Sequence, residues 1–166
     1  MLTVVALLTL AQLAEEPRSI GVFYYVSPAE LVPLEKHDAQ VRASRALGIG
    51  GVNQQAQIPG EKSSVRIMVD RPEFVLRLAP GIDPGKYQLI RFDAKGGKRV
   101  VQIMRGSAVT GSASTVLRTL PVEITRYGNE SFRFVPLEPL VPGEYAFSPR
   151  DSNLSLCFGI DAKPGI

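Results

Sequence analysis

The sequence contains no tryptophan, one cysteine and one histidine among its 166 residues. A single cysteine allows neither an internal disulfide nor a zinc cluster. With His37 alone, metal binding falls to carboxylates, and the sixteen Asp and Glu are scattered with no D-x-D-x-D ladder for calcium. The absence of Trp weakens a carbohydrate-stacking surface, and no aromatics interleave the basic residues as a nucleic-acid surface wants. The net charge of +3 is too mild to read as a nucleic-acid signature. Beyond the N-terminus no apolar run approaches the ~20 residues that span a bilayer, so no membrane span is expected in the mature chain. No G-x-S-x-G elbow occurs, and Gly48-Ile-Gly50-Gly51 is too short for a dinucleotide fingerprint and opens no helix. These absences leave no catalytic, cofactor-binding or metal-ligating residue to nominate, and no cofactor is expected.

What is present is β punctuation. Thirteen Pro and fifteen Gly are spread along the chain, cutting it into short segments, and a helical period is nowhere sustained. Ile20–Val26 and Glu30–Glu35 read as a hairpin turned at Ser27-Pro28-Ala29, with Pro33 marking an edge. Adjacent Tyr24 and Tyr25 must point to opposite faces. Lys36–Leu47 fits an edge strand better than a short helix capped by Asp38, Gly48–Gly60 a long surface loop with at most one short strand, and Gly106–Thr115 a small-residue linker. The last strand, Leu154–Ile160, sets Leu154, Leu156, Phe158 and Ile160 on one face and Ser155, Cys157 and Gly159 on the other, a half-buried pattern. The first fourteen residues are apolar and end in small residues before an abrupt switch to Glu15-Glu-Pro-Arg-Ser. That run reads as a signal peptide lacking a basic start, or else as a strand or short helix kept in the fold.

An internal repeat is the most specific signal. Phe74 and Phe132, Pro84 and Pro142, Gly85 and Gly143, and Tyr87 and Tyr145 are identical pairs, each 58 residues apart. Leu76/Phe134 and Leu89/Phe147 match in character at the same spacing, and Ile67/Ile124 one residue out of step. The expected fold is an all-β antiparallel sandwich or flattened barrel. It combines two four-strand meanders, 64–104 and 120–160, with an N-terminal hairpin in a single domain over 18–166. Units of ~50 residues bury too little surface to stand alone, so the two should pack together.

Leu140-x-Pro142-Gly143-x-Tyr145 resembles the Leu-x-Pro-Gly-x-Tyr corner of fibronectin type III and other immunoglobulin-like sandwiches, and Ile82-x-Pro84-Gly85-x-Tyr87 is a second copy. The resemblance implies that the Tyr hydroxyl bonds back across a corner between strands. The longer string from Tyr24-Tyr25-Val26-Ser27-Pro28 to Phe158-Gly-Ile-Asp161 is similar to a group of uncharacterised exported bacterial proteins. That likeness implies β architecture and a periplasmic or extracellular place in the cell envelope, with no activity to carry over.

The remaining polar residues favour structural roles. His37 followed by Asp38 sits on a polar segment and reads as a surface residue. Cys157 reads as a packed, inert thiol. Asp83, Asp93, Asp151 and Asp161 fall at turns or strand ends, where capping explains them. Lys95, Lys98 and Arg99 at one hairpin, with Arg42 and Arg45, read as a solvated sheet face. Asn129 and Asn153 each open a glycosylation sequon, read as coincidence in a bacterial chain. The expectation is a non-enzymatic, exported sandwich that binds or scaffolds envelope proteins, with edges near Leu31–Leu34 or Val41–Leu47 for a partner strand. A glycan-binding module using Tyr24, Tyr25 and Tyr127 is the alternative, and a hydrolase using His37 ranks third.

Overall fold

The structure, a computed structural model, describes residues 16–45, 52–107 and 112–163. The expected signal segment 1–14 lies outside them. The described chain is all β, and its helical content among these residues is one 3-10 turn, Pro84–Lys86. It forms a two-sheet sandwich whose larger sheet is curled.

The smaller sheet has five strands in the order β12 (Val122–Tyr127), β13 (Ser131–Pro136), β7 (Phe74–Arg77), β1 (Phe23–Val26) and β2 (Leu31–Pro33). The β1–β2 turn is closed by Ser27, whose Oγ donates to the Glu30 carbonyl and accepts from the Glu30 N–H. The larger sheet runs β3 (Glu35–Asp38), β15 (Leu154–Ile160), β14 (Gly143–Pro149), β8 (Tyr87–Lys95), β9 (Lys98–Ser107), β5 (Val52–Pro59) and β4 (Gln40–Arg45). Its first and last members, β3 and β4, are consecutive in the chain with only Ala39 between them. The sheet therefore curls until its two ends meet at that residue, where the Ala39 N–H donates to the Asn153 carbonyl. Three short strands complete it: β6 (Arg66–Ile67) on β15, β10 (Ser112–Thr115) on β9, and β11 (Thr119–Leu120) on β8.

Two segments differ from expectation. Gly48–Gly60 was expected to be a surface loop with at most one short strand, yet β5 is a full strand over eight of its residues, with Ala56 and Ile58 turned inward. Its Gln-rich outer face hid a regular alternation. Gly106–Thr115 was expected to be a linker, yet β9 runs on to Ser107 and β10 pairs back along it. Small polar residues suffice there because the ladder, rather than side-chain packing, holds the hairpin.

The sandwich core is aromatic. Phe23 stacks on Phe147 at 4.1 Å, Phe134 meets Phe23 edge-on at 4.8 Å, and Phe74 lies 4.6 Å from Phe158. Each fully buried ring contributes about 1.5–3 kcal/mol by area alone. At the second Pro-Gly corner the Tyr145 hydroxyl donates to the Val141 carbonyl at 2.7 Å. At the first, Asp83 caps the 3-10 turn by accepting from the Gly85 N–H at 2.8 Å. Both corners carry the chain from the small sheet into the large one, β7 to β8 and β13 to β14.

The spacing of 58 reappears in the ladders. Val75 opposes Arg133 in the small sheet and Leu89 opposes Phe147 in the large one. Around the first pair the partners interchange, Phe74 facing Phe134 and Leu76 facing Phe132. The strands ahead of them part company. β12 pairs with β13 in the small sheet, whereas β6 crosses to the large sheet and runs parallel to β15. Neighbours in the expected first meander are thus not all neighbours in one sheet, because the chain crosses the sandwich between them.

Candidate functional site in the concave face of the curled sheet

Curling buries the large sheet on both faces. Tyr87, Leu89, Tyr145, Phe147, Leu156 and Phe158 face the small sheet. The alternate residues Ile90, Phe92, Ala146 and Cys157 form a second cluster with Ala39, Ala56 and Ile58 inside the curl. The last strand is therefore buried on both faces rather than half-buried as its alternation suggested.

One end of this interior is a charged pole. Arg99, 1% exposed, lies beneath the β8–β9 hairpin, donating from Nε to the Gly60 carbonyl and from Nη2 to the Pro59 carbonyl, both at 3.1 Å. Its Nη1 and Nη2 lie 3.4 Å from the two carboxylate oxygens of Glu35. Glu35 also accepts from the Ser63 hydroxyl at 2.5 Å and the Ser64 N–H at 2.9 Å, and its Oε1 lies 2.5 Å from His37 Nε2. Burial pushes the Glu35 carboxyl up, but the bonds from Ser63, His37, Ser64 and Arg99 outweigh it and hold it at about 2. Alongside, Arg66 bridges Glu144 at 2.5 Å and Asp161 at 2.5 and 3.1 Å, and Glu144 also accepts from the Ser63 N–H. The Asp161 bond raises the Arg66 pKa further, burial opposes it, and Glu144 adds to the rise.

Arg99 was read as part of a solvated hairpin and is instead one of the most buried side chains. Its parity carried the signal, since Arg99 shares a face with Val101 and Ile103, which line the interior. His37, expected at the surface, is part-buried against Glu35 and Arg99. It opposes Ser155 in the β3–β15 ladder, but no hydrogen bond joins the two side chains among the described residues. Burial pushes the Cys157 thiol up to about 12, with Arg99 opposing the rise, so it is not a nucleophile at neutral pH.

The other end is open. β8 and β9 pair only over Asp93–Lys95 and Lys98–Val100, then part, β11 taking the edge of β8 and β10 that of β9. The wedge between them is a cavity of about 440 Å³. Ile90, Phe92, Val101, Ile103 and Leu117 give it an apolar wall, and the small side chains of Ala39 and Ala56 leave it room. Its opposite rim is the β14–β15 turn with Arg150, Asp151 and Asn153, joined by Gln88 and Ser155. Asp151 holds φ at +61°, a left-handed conformation that Asp tolerates in a turn.

The other candidates are dispersed. Tyr25 packs against the sandwich core, while Tyr24 lines a separate depression with Glu16 and Arg18. Tyr127, on β12, lies three strands from β1, which carries Tyr24 and Tyr25, and is not gathered with them. Among the described residues no three His, Cys, Asp or Glu side chains are grouped as metal ligands, and no helix is long and apolar enough to cross a membrane. Comparison with protein-family models, curated proteins and solved structures finds no match.

Proposed function

We propose that the chain is a non-enzymatic binding module of the bacterial cell envelope that holds a small ligand inside its curled sheet. The observation that carries this reading is the division of the curl into two poles. Reactive side chains are tied into ion pairs and hydrogen bonds at one end, while the cavity at the other is apolar with a polar rim. That lining and volume match small-molecule sites, which run to roughly 300–1,000 Å³. Placement in the envelope is part of the proposal and rests on the resemblance drawn from the residues between Tyr24 and Asp161.

Thermal unfolding against a panel of small apolar and amphipathic compounds tests it. A ligand at a hundredfold excess over its Kd adds about 2.7 kcal/mol. The wild type should be stabilised by at least one compound class that leaves Ile103→Arg unmoved. A panel that shifts neither protein, or both equally, contradicts the reading.

A protein partner is the second reading, favoured by β2, β4 and β12, each of which ends its sheet with one edge unpaired by another strand among the described residues. Crosslinking in the native envelope that repeatedly captures one protein through β12 would favour strand addition over the cavity.

A further inference from the structure

The Ser155 side chain is 2% exposed, lines the cavity, and makes no hydrogen bond to any described residue. Its hydroxyl is not sealed off but opens onto the cavity, where water or an entering polar group can meet it. Beside it, Gln88 and Asn153 present side-chain amides that make no hydrogen bond among the described residues, each able to donate and accept. Arg150 and Asp151 supply one charge of each sign on the same turn, so the rim offers a fixed ion no net attraction. Across the wedge the lining side chains Ile90, Phe92, Val101, Ile103 and Leu117 are all uncharged.

We propose that the cavity takes an uncharged amphiphile, its apolar body against Ile90, Phe92, Val101, Ile103 and Leu117 and its hydroxyl-bearing head on Ser155, Gln88 and Asn153. This rests on reading the cavity as the ligand site. An amphiphile fits because each half of the lining satisfies one half of the molecule. A simple sugar would leave the wall wet, and a hydrocarbon would leave Ser155 unpaired. A carboxylate head would meet Asp151 as well as Arg150.

The test is amide NMR of the full chain titrated with octyl glucoside below its micelle concentration, with laurate, and with glucose. Octyl glucoside should give saturable shifts centred on Ile103, Leu117, Asn153 and Ser155, absent in Ile103→Arg and about fivefold weaker in Ser155→Ala, the loss of one hydrogen bond. The spectra themselves report whether each variant is folded. Laurate binding there as tightly as the glucoside overturns the neutral head and leaves the cavity reading standing. Glucose binding as tightly overturns the apolar body. Unchanged affinity in Ser155→Ala overturns the role of that hydroxyl. Silence from all three overturns the inference, and a blank thermal panel as well removes the cavity reading beneath it.

Discussion

Arg99 on β9 and Glu35 on β3 meet across the inside of the curl, their charged atoms 3.4 Å apart, although β3 and β9 are not neighbours in the sheet. The pair ties the closing strand to the opposite wall. Removing one partner from such a site leaves the other charge uncompensated, which costs more than the pair contributes when intact. Arg99→Met should therefore destabilise by about 3 kcal/mol, read as a shift of the urea midpoint. Adding Glu35→Leu to it should recover part of the loss. A double variant as unstable as the sum of the two single ones would show that the residues act independently.

Acid titration probes the same pole. Glu35 is held at about 2 in the folded chain against an ordinary value of 4.5. The unfolded chain therefore binds the proton first, and stability rises with pH across this window. Its contribution is fully present above 4.5 and is lost as pH falls towards 2. Wild type should lose more stability than Glu35→Gln between those limits, in denaturation curves taken at each pH. Parallel pH profiles would contradict the assignment.

Gly159 faces Arg66 in the parallel β6–β15 pair, and a Cβ built at Gly159 would fall inside the Arg66 guanidinium. Its backbone is not left-handed, so the requirement is for space alone. Gly159→Ala should displace Arg66 from the buried Glu144, at roughly 2–4 kcal/mol for a broken charged network. Gly159→Ala combined with Arg66→Ala should be less unstable than the two single effects added. Strict additivity in thermal melts would show that the glycine serves something else.

Cys157 should resist alkylation. Its thiol is 1% exposed and pushed up to about 12, so iodoacetamide at neutral pH should label it only after unfolding. Rapid labelling of the native chain would mean that the interior of the curl opens far more readily than its packing implies.

Much of this architecture is legible in the residues. Alternation gives β8 and both faces of Leu154–Ile160, including Ser155 on the interior side. The Pro-Gly-x-Tyr corners mark where the chain turns between sheets. What alternation lacks is the identity of the second layer. Nothing local in Leu154–Ile160 tells a solvent face from one roofed by the strand's own sheet, so Arg99 reads as a surface charge, and Glu35 and Glu144 draw no notice. Their burial follows from β3 and β4, adjacent in the chain, pairing at opposite ends of one sheet, an arrangement set by strands far away in the chain. The cavity depends on a still less local event, the parting of β8 and β9 after three paired residues.

The decisive measurement is native mass spectrometry of the chain purified from its own host, beside Ile103→Arg prepared the same way. The wild type should carry a small-molecule adduct, released by organic solvent and absent from the variant. Bare chain mass in both, or the same adduct on both, would contradict a ligand site in the concave face.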